Sequence, residues 1–227
     1  MRRIPVSLGL LLLLAGLPAD GISQAAPAVN GAVHYYMTIF GSEGSPDLAR
    51  ESHTFATFAA TEGGIETQEL TISWLPAPGY FAAGNTMPPL KVVPGHNYDL
   101  DQTIALAPSH RVLYWGPYEI QPELFAQAVE RVHFLASGRT NYKMFQLNLD
   151  QRIPTLHDQP GGTINCIMAV SDLGGLLGTG TSWGYPASRQ VLAFLSRWIY
   201  DFPYGRHPEI ASAMHLQERT NGTPGPF

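Results

Sequence analysis

Two residue types in this chain are suited to nucleophilic chemistry: a single cysteine and eight histidines. Cys166 lies in the segment GGTINCIMAVSDLGG, and a lone thiol has no partner for a disulfide within its own chain. A thiolate is a strong nucleophile, whereas an unreactive free cysteine packs in a core like a small apolar side chain. Both interpretations of Cys166 stay open at this point.

The residues around Cys166 predict that it lies at the start of a helix, from about Asn165 to Leu173. Asn165 is a good N-cap because its side chain accepts a hydrogen bond from an N–H group of the first turn. Cys166 then lies in that first turn, where unpaired N–H groups and aligned peptide dipoles favour negative charge. We therefore expect a lowered pKa for the thiol, which favours a nucleophile.

A nucleophilic cysteine needs a base, and His53 is the best placed of the histidines. It opens the segment HTFATFAAT, which predicts a strand over 53–61 from its aromatic and β-branched residues. A strand position holds an imidazole rigidly against a helix that packs on the same sheet. The sequence therefore predicts a catalytic pair in which His53 accepts the proton of Cys166.

A third residue would orient the imidazole, and the next segment offers candidates for it. ETQELTISWLP (66–76) predicts the second strand of a hairpin, with its side chains alternating between two faces. The polar face carries Glu69, Thr71 and Ser73. The apolar face carries Leu70, Ile72 and Trp74. If the apolar face meets His53, the imidazole is left unoriented and is a poorer base.

The motif SHTFATF, followed much later by NCIMAV, resembles the circularly permuted papain-like domains. These include the permuted NlpC-type bacterial cell-wall hydrolases and the lecithin:retinol acyltransferase group. In that order, a His at the start of a strand precedes a Cys that begins a late helix. The resemblance covers roughly residues 50–175 and implies a thiol hydrolase or acyltransferase, with Cys166 as nucleophile and His53 as base. In the family a third polar residue on the neighbouring strand orients the imidazole, and the returning strand of this chain has no His or Asn for that position.

Tyr142 is a further candidate for the site. It lies on a predicted strand over 142–148, just before the Cys166 helix in the chain. Its hydroxyl is a possible oxyanion donor, and the alternative is an ordinary tyrosine at the edge of the core. A metal site has little support, since no H-x-x-x-H or paired-Cys spacing occurs. We expect no cofactor.

The first 25 residues predict a signal peptide. Two arginines precede an apolar stretch from Leu8 to Leu17, and Ser23-Gln24-Ala25 is a plausible cleavage site. The apolar stretch is shorter than the roughly 20 residues that span a bilayer. We expect an exported protein, periplasmic or extracellular, without a stable membrane span in its mature form.

The rest of the chain predicts one domain over 33–205, preceded by a linker (26–32) and followed by a C-terminal tail (206–227). The net charge of −5 and the scarcity of charged residues, at 14%, argue against a nucleic-acid partner. A peptide, cell-wall or acyl substrate fits the resemblance better.

The elements that must position these residues occur as strands, then helices, then further strands. Further strands are predicted over 33–40 and 111–120, and helices over 97–107, 121–138 and 187–202. Without a regular β-α alternation, this order predicts an α+β fold with a mainly antiparallel sheet packed against helices. A non-catalytic binding or structural module on this scaffold, with Cys166 in its core, is the alternative function.

Overall fold

The computed structural model describes residues 31–43, 52–81, 91–107, 111–145, 162–172, 184–220 and 225. The predicted signal peptide (1–25) and most of the predicted linker lie outside the described residues. The described strands are β1 Val33–Glu43, β2 His53–Glu62, β3 Ile65–Ile72, β4 Trp74–Pro76, β5 Val93–Asn97, β6 Arg111–Glu119, β7 Thr140–Tyr142 and β8 Gly162–Ile164. The described helices are α1 Leu100–Ala105, α2 Pro122–Ala136, α3 Cys166–Ser171, α4 Gly184–Leu195, α5 Pro208–Ala213 and α6 Leu216–Thr220.

The first sheet has the order β3-β2-β1-β6, and all of its neighbouring strands are antiparallel. The predicted hairpin of β2 and β3 is confirmed, with Thr57 opposite Thr71. Gly63 and Gly64 form its turn with φ angles of 60° and 82°, a backbone region that glycine adopts without steric cost. Antiparallel sheets packed against helices confirm the predicted α+β fold class.

Helices cover both faces of this sheet, and for that reason nine of the ten residues of β2 are buried. One face belongs to a first apolar cluster, in which α2, α3 and α4 pack on residues such as Met37 and Phe58. The other face belongs to a second cluster, in which residues of α1, α5 and α6 pack on Phe40 and Phe55. Side chains alternate between these faces along each strand.

The second sheet has the order β4-β5-β7-β8 and is antiparallel except for the parallel pair β7–β8. The strand predicted over 66–76 is therefore wrong in its extent, because it breaks at Ser73 and its last three residues join the second sheet. Asn97 stabilises the break: its Oδ1 accepts from the Ser73 N–H at 2.9 Å, and its Nδ2 donates to the Thr71 carbonyl at 2.8 Å.

Several other elements match the prediction within a few residues. α1 begins after Asp99, whose carboxylate accepts from the Gln102 N–H at 2.7 Å in a capping box. α2 begins at Pro122 and matches its predicted helix. The last predicted helix is shorter, since α4 ends at Leu195 and a 3-10 turn follows over Ser196–Trp198. The strand predicted over 142–148 is wrong in position, because β7 is Thr140–Tyr142 and residues 143–145 are not in a strand; residues 146–148 lie outside the described residues.

The segment predicted as a C-terminal tail over 206–227 differs most from expectation. It contains α5 and α6, which bury Ile210, Met214 and Leu216 in the second cluster. Gly225 is also buried and donates its N–H to the Tyr114 carbonyl at 2.7 Å. The two helices are too short to show a clear helical period in the sequence, and their stability comes from packing.

No helix in the described part of the chain has both the length and the apolar character that a bilayer span requires.

Candidate active site

Cys166 is the first residue of α3, directly after a capping asparagine. The Asn165 side chain accepts a hydrogen bond from the Met168 N–H at 2.9 Å, which confirms the predicted N-cap. Its Nδ2 donates to the Met144 carbonyl at 3.1 Å, so the same side chain also ties α3 to the segment after β7. Asn165 is therefore a structural support of the cysteine, and its side chain is buried.

The expectation of a lowered thiol pKa at Cys166 is wrong. Burial raises the pKa of the thiol to about 11, because a thiolate loses hydration in a residue that is only 6% exposed. Hydrogen bonds from the backbone of Thr54, Ile167 and Cys166 itself oppose this effect and lower the pKa. Desolvation outweighs them, so the resting thiol carries its proton at neutral pH.

His53 begins β2 and is buried, with its ring packed on Phe55 at a centroid distance of 5.2 Å. Its Nε2 lies 2.9 Å from the Oγ of Ser73. Ser73 was one of the three predicted candidates for the third residue, and it is the one that contacts the imidazole. It reaches His53 because it lies at the break between β3 and β4, on the face of β3 that also carries Thr71.

The Ser73 hydroxyl belongs to a longer buried chain of polar groups. The Thr103 hydroxyl on α1 lies 2.7 Å from the Ser73 oxygen and 2.6 Å from the Asp99 carbonyl oxygen. The backbone of Ser73 is held as well, since Tyr98 donates its N–H to the Ser73 carbonyl at 3.0 Å. Helix α1 and the turn before it therefore fix Ser73, and Ser73 fixes the His53 ring.

The other two candidates on the polar face of β3 have different partners. Glu69 accepts from the guanidinium of Arg219 on α6 at 3.0 and 3.3 Å. The Thr71 hydroxyl lies 3.1 Å from that of Thr57 across the strand pair. Neither pairing involves His53.

Cys166 and His53 border the same small cavity, together with Tyr142, Asn165 and Thr54. Its volume is about 10 Å³, which is room for about one water molecule. Tyr142 is fully buried beside the thiol, and burial, together with the proximity of Cys166, raises the pKa of its phenol well above the usual value. Tyr142 is therefore a neutral hydroxyl next to the sulfur.

The two members of the predicted pair approach this cavity from different sides of the sheet. His53 has the orientation of Phe55, which belongs to the second cluster. Cys166 belongs to the first cluster, and its sulfur accepts a hydrogen bond from the backbone of Thr54, the neighbour of His53. They share the cavity at the end of β2, and the imidazole hydrogen-bonds to Ser73 through Nε2.

The chain matches no protein-family model, no curated protein and no solved structure. The resemblance to permuted papain-like domains therefore rests on the His53 and Cys166 motifs and on the order of the elements. The chemistry of the site has to be inferred from its own residues.

Sequence reasoning missed three residues that hold the site together: Thr54, Asn97 and Thr103. Thr103 lies within a predicted helix, four residues after its cap, and nothing in the local pattern links it to the hairpin. Thr54 contributes through its backbone, which has no sequence signature. Among the described residues, no three side chains of His, Cys, Asp or Glu lie close enough to hold a metal ion together.

Proposed function

We propose that this protein is an exported thiol-dependent hydrolase or acyltransferase on a permuted papain-like scaffold, acting on an amide or ester through Cys166 and His53. The observation that carries the proposal is the shared cavity, which is bordered by Cys166 at a helix start and by a His53 ring held by Ser73. A thiol and an oriented imidazole that open onto one cavity supply the two groups that nucleophilic catalysis requires. A peptide, a cell-wall fragment or an acyl ester is the proposed substrate class.

The hydroxyl chain behind His53 is compatible with a tautomer suited to a base. The Thr103 hydroxyl donates to the Ser73 oxygen at 2.7 Å and to the Asp99 carbonyl oxygen at 2.6 Å. The Ser73 oxygen has a second lone pair, which accepts from His53 when the ring proton is on Nε2. In the proposed base the proton is therefore on Nε2, and the lone pair on Nδ1 accepts the thiol proton.

The raised thiol pKa determines how the first step proceeds. Because Cys166 is protonated at rest, Nδ1 of His53 takes the proton as the sulfur attacks the substrate carbonyl carbon. The new C–S bond forms as the carbonyl π electrons move to oxygen, and the Cys166 N–H and the Tyr142 hydroxyl are the proposed oxyanion donors. The oxyanion then re-forms the carbonyl as the C–N or C–O bond to the leaving group breaks, and the imidazolium protonates the leaving amine or alcohol. In the second half, water or an acceptor group attacks the thioester carbonyl and gives its proton to His53; the C–S bond breaks and the proton passes to the Cys166 sulfur.

The small volume of the cavity limits which reagents reach the thiol. A space for about one water molecule has to widen before a carbonyl group enters. We therefore expect small electrophiles to modify Cys166 faster than bulky ones of similar intrinsic reactivity.

Acylation of Cys166 by p-nitrophenyl acetate tests the proposal. The expected result is an initial burst of p-nitrophenol and one acetyl group on Cys166 by peptide mass spectrometry. The burst should vanish in Cys166→Ala and slow by at least about a hundredfold in His53→Ala, as expected for loss of a general base. An equal rate in wild type and Cys166→Ala would exclude thiol chemistry.

The buried thiol favours a second candidate, a non-catalytic exported binding or structural module. Its support is the pKa of about 11 and the low exposure of Cys166, which suit a small apolar core residue. In that case His53 and Ser73 serve only as a satisfied buried pair. Absence of any acetyl group on Cys166, in a protein that remains folded, would favour this function.

A further inference from the structure

A second and larger cavity lies between strand β6 and helices α5 and α6. Its volume is about 460 Å³, within the range of roughly 300–1,000 Å³ that is typical of small-molecule sites. Apolar wall is provided by residues such as Tyr114, Pro117 and Ala211. Polar and charged groups come from Arg206, His215 and Glu218. None of these residues borders the Cys166 cavity.

The walls of this cavity are fixed by packing on both sides. Ile210 on α5 and Leu216 on α6 are buried in the second cluster together with Tyr114 of β6. α6 is further held by Arg219, whose Nε donates to Asp101 at 2.8 Å and whose Nη1 donates to Glu69 at 3.0 Å. The cavity is therefore formed before any ligand binds.

Arg206 places a positive charge at the β6 side of the cavity. Its Nη2 donates to the Gly225 carbonyl at 3.3 Å, and its guanidinium also hydrogen-bonds to Tyr118 and lies near Tyr114. A guanidinium stays charged in proteins, and its planar fork matches a carboxylate. These neutral contacts orient the group at the cavity wall.

Glu218 places the opposite charge at the start of α6, where its side chain is 81% exposed and lies beside His215. The Nδ1 of His215 lies 3.2 Å from the Glu218 Oε2. His215 has a φ of 52° and is the one non-glycine residue with a positive φ in the described ranges. His215 directly follows Met214, the C-cap of α5, and donates its N–H to the Ser212 carbonyl at 3.0 Å. Its left-handed backbone therefore ends α5 and fixes the position of the His215 side chain at the cavity wall.

We propose that this cavity binds a small zwitterion, an amino acid or short peptide whose carboxylate meets Arg206 and whose ammonium group meets Glu218. Arg206 and Glu218 supply opposite charges from different segments of the chain, and the apolar residues of the cavity wall contact the body of the ligand. The proposal goes beyond the thiol chemistry and does not depend on it.

Calorimetric titration of the full chain with alanyl-alanine tests the site, with the Cys166→Ala variant used throughout so that the probe cannot react. The expected result is a millimolar Kd for the dipeptide. Alanyl-alanine amide lacks the carboxylate, and acetate lacks the ammonium group. The affinity of each should be lower than that of the dipeptide by about tenfold or more, since each loses one charged hydrogen bond. Arg206→Lys and Glu218→Gln should weaken dipeptide binding to a similar degree.

His215→Asn separates a ligand role from a structural one. Asparagine tolerates the left-handed backbone, so the variant should keep or gain stability while dipeptide binding weakens. Acetate binding as tight as the dipeptide would overturn the proposal, as would no heat of binding with folded protein. Unchanged dipeptide binding in His215→Asn together with lower stability would assign His215 to the fold alone.

Discussion

The Nε2 of His53 lies 2.9 Å from the hydroxyl oxygen of Ser73, and both side chains are buried. Ser73 achieves this contact because the chain leaves the first sheet at that residue and Asn97 holds the break. One irregular residue thereby supplies the third polar group of the candidate site. The relationship makes the His53–Ser73 pair the most specific target for mutation.

Replacing Ser73 with alanine should disturb both the fold and the reactivity of the thiol. The change removes one buried hydrogen bond from the His53 Nε2 and one from the Thr103 hydroxyl. The free energy of unfolding should therefore fall by about 1–3 kcal/mol. The rate of Cys166 alkylation should also fall, because the imidazole loses its orientation. Urea unfolding and mass spectrometry measure the two effects.

Thr71→Val is the matched control for that variant. It removes a buried hydroxyl from the same strand face, but one that pairs with Thr57. We expect a comparable loss of stability with no change in the alkylation rate. If both variants slow alkylation equally, the effect comes from the sheet and not from orientation of His53.

The raised pKa of Cys166 predicts a specific loss of stability in alkali. The unfolded thiol releases its proton near pH 9, whereas the folded thiol keeps it to about pH 11. Between these values the unfolded state binds fewer protons, so the free energy of unfolding falls as pH rises. A loss of about 3 kcal/mol follows from a shift of that size. Urea unfolding at several pH values measures it.

Cys166→Ala is the control for this pH dependence, because it removes the titrating group. Its stability should be lower than that of wild type at pH 8 and should lack the added decline from pH 9 to 11. An identical alkaline decline in both proteins would show that the thiol pKa is not raised by burial.

Asn165→Ala should destabilise the protein by about 1 kcal/mol or more, since it removes the N-cap of α3. It also removes the donor to the Met144 carbonyl. Asn165→Asp keeps the cap acceptor but places a carboxylate oxygen opposite the Met144 carbonyl in a buried site, so its stability should also fall below that of wild type. Thermal unfolding ranks the three proteins. Equal stability of wild type and Asn165→Ala would contradict the observed cap.

Arg219 tests whether the C-terminal helices belong to the fold. Arg219→Ala should lower the free energy of unfolding by about 1–2 kcal/mol, because its guanidinium joins α6 to both Glu69 and Asp101. Arg219→Lys keeps the charge and loses the paired geometry, so a smaller loss is expected. Part of both effects should disappear in high salt. No change in urea unfolding would mean that α6 is not held by this contact.

Much of the fold follows from local patterns in the sequence. The β2–β3 hairpin, the capped starts of α1 and α3, and helix α2 all match because alternation, caps and a first-turn proline act over a few residues. The two C-terminal helices differ from the predicted tail. They are short, and they depend on burying Ile210 and Leu216 in the second cluster, which is built from distant parts of the chain. The break at Ser73 likewise depends on Asn97, which lies 24 residues away.

The candidate site was predictable in its residues but not in its electrostatics. Cys166 and His53 stand out by type and position, and they share a cavity. The predicted direction of the thiol pKa shift was wrong. A helix start lowers the pKa of a thiol only where water or hydrogen-bond donors stabilise the thiolate. At Cys166, burial outweighs three backbone hydrogen bonds, and burial of a single residue cannot be read from the local sequence.

Alkylation of Cys166 by iodoacetamide tests the central claim most directly, because the chain has one cysteine and the adduct site is unambiguous. The folded protein at pH 7 is compared with His53→Ala and with a control, His34→Ala, whose exposed imidazole pairs with Glu119 instead. The predicted result is labelling in wild type and in the control, slowed about tenfold or more in His53→Ala, since the imidazole takes the thiol proton. Equal rates in all three proteins, or no labelling in any, would contradict the claim that His53 activates Cys166.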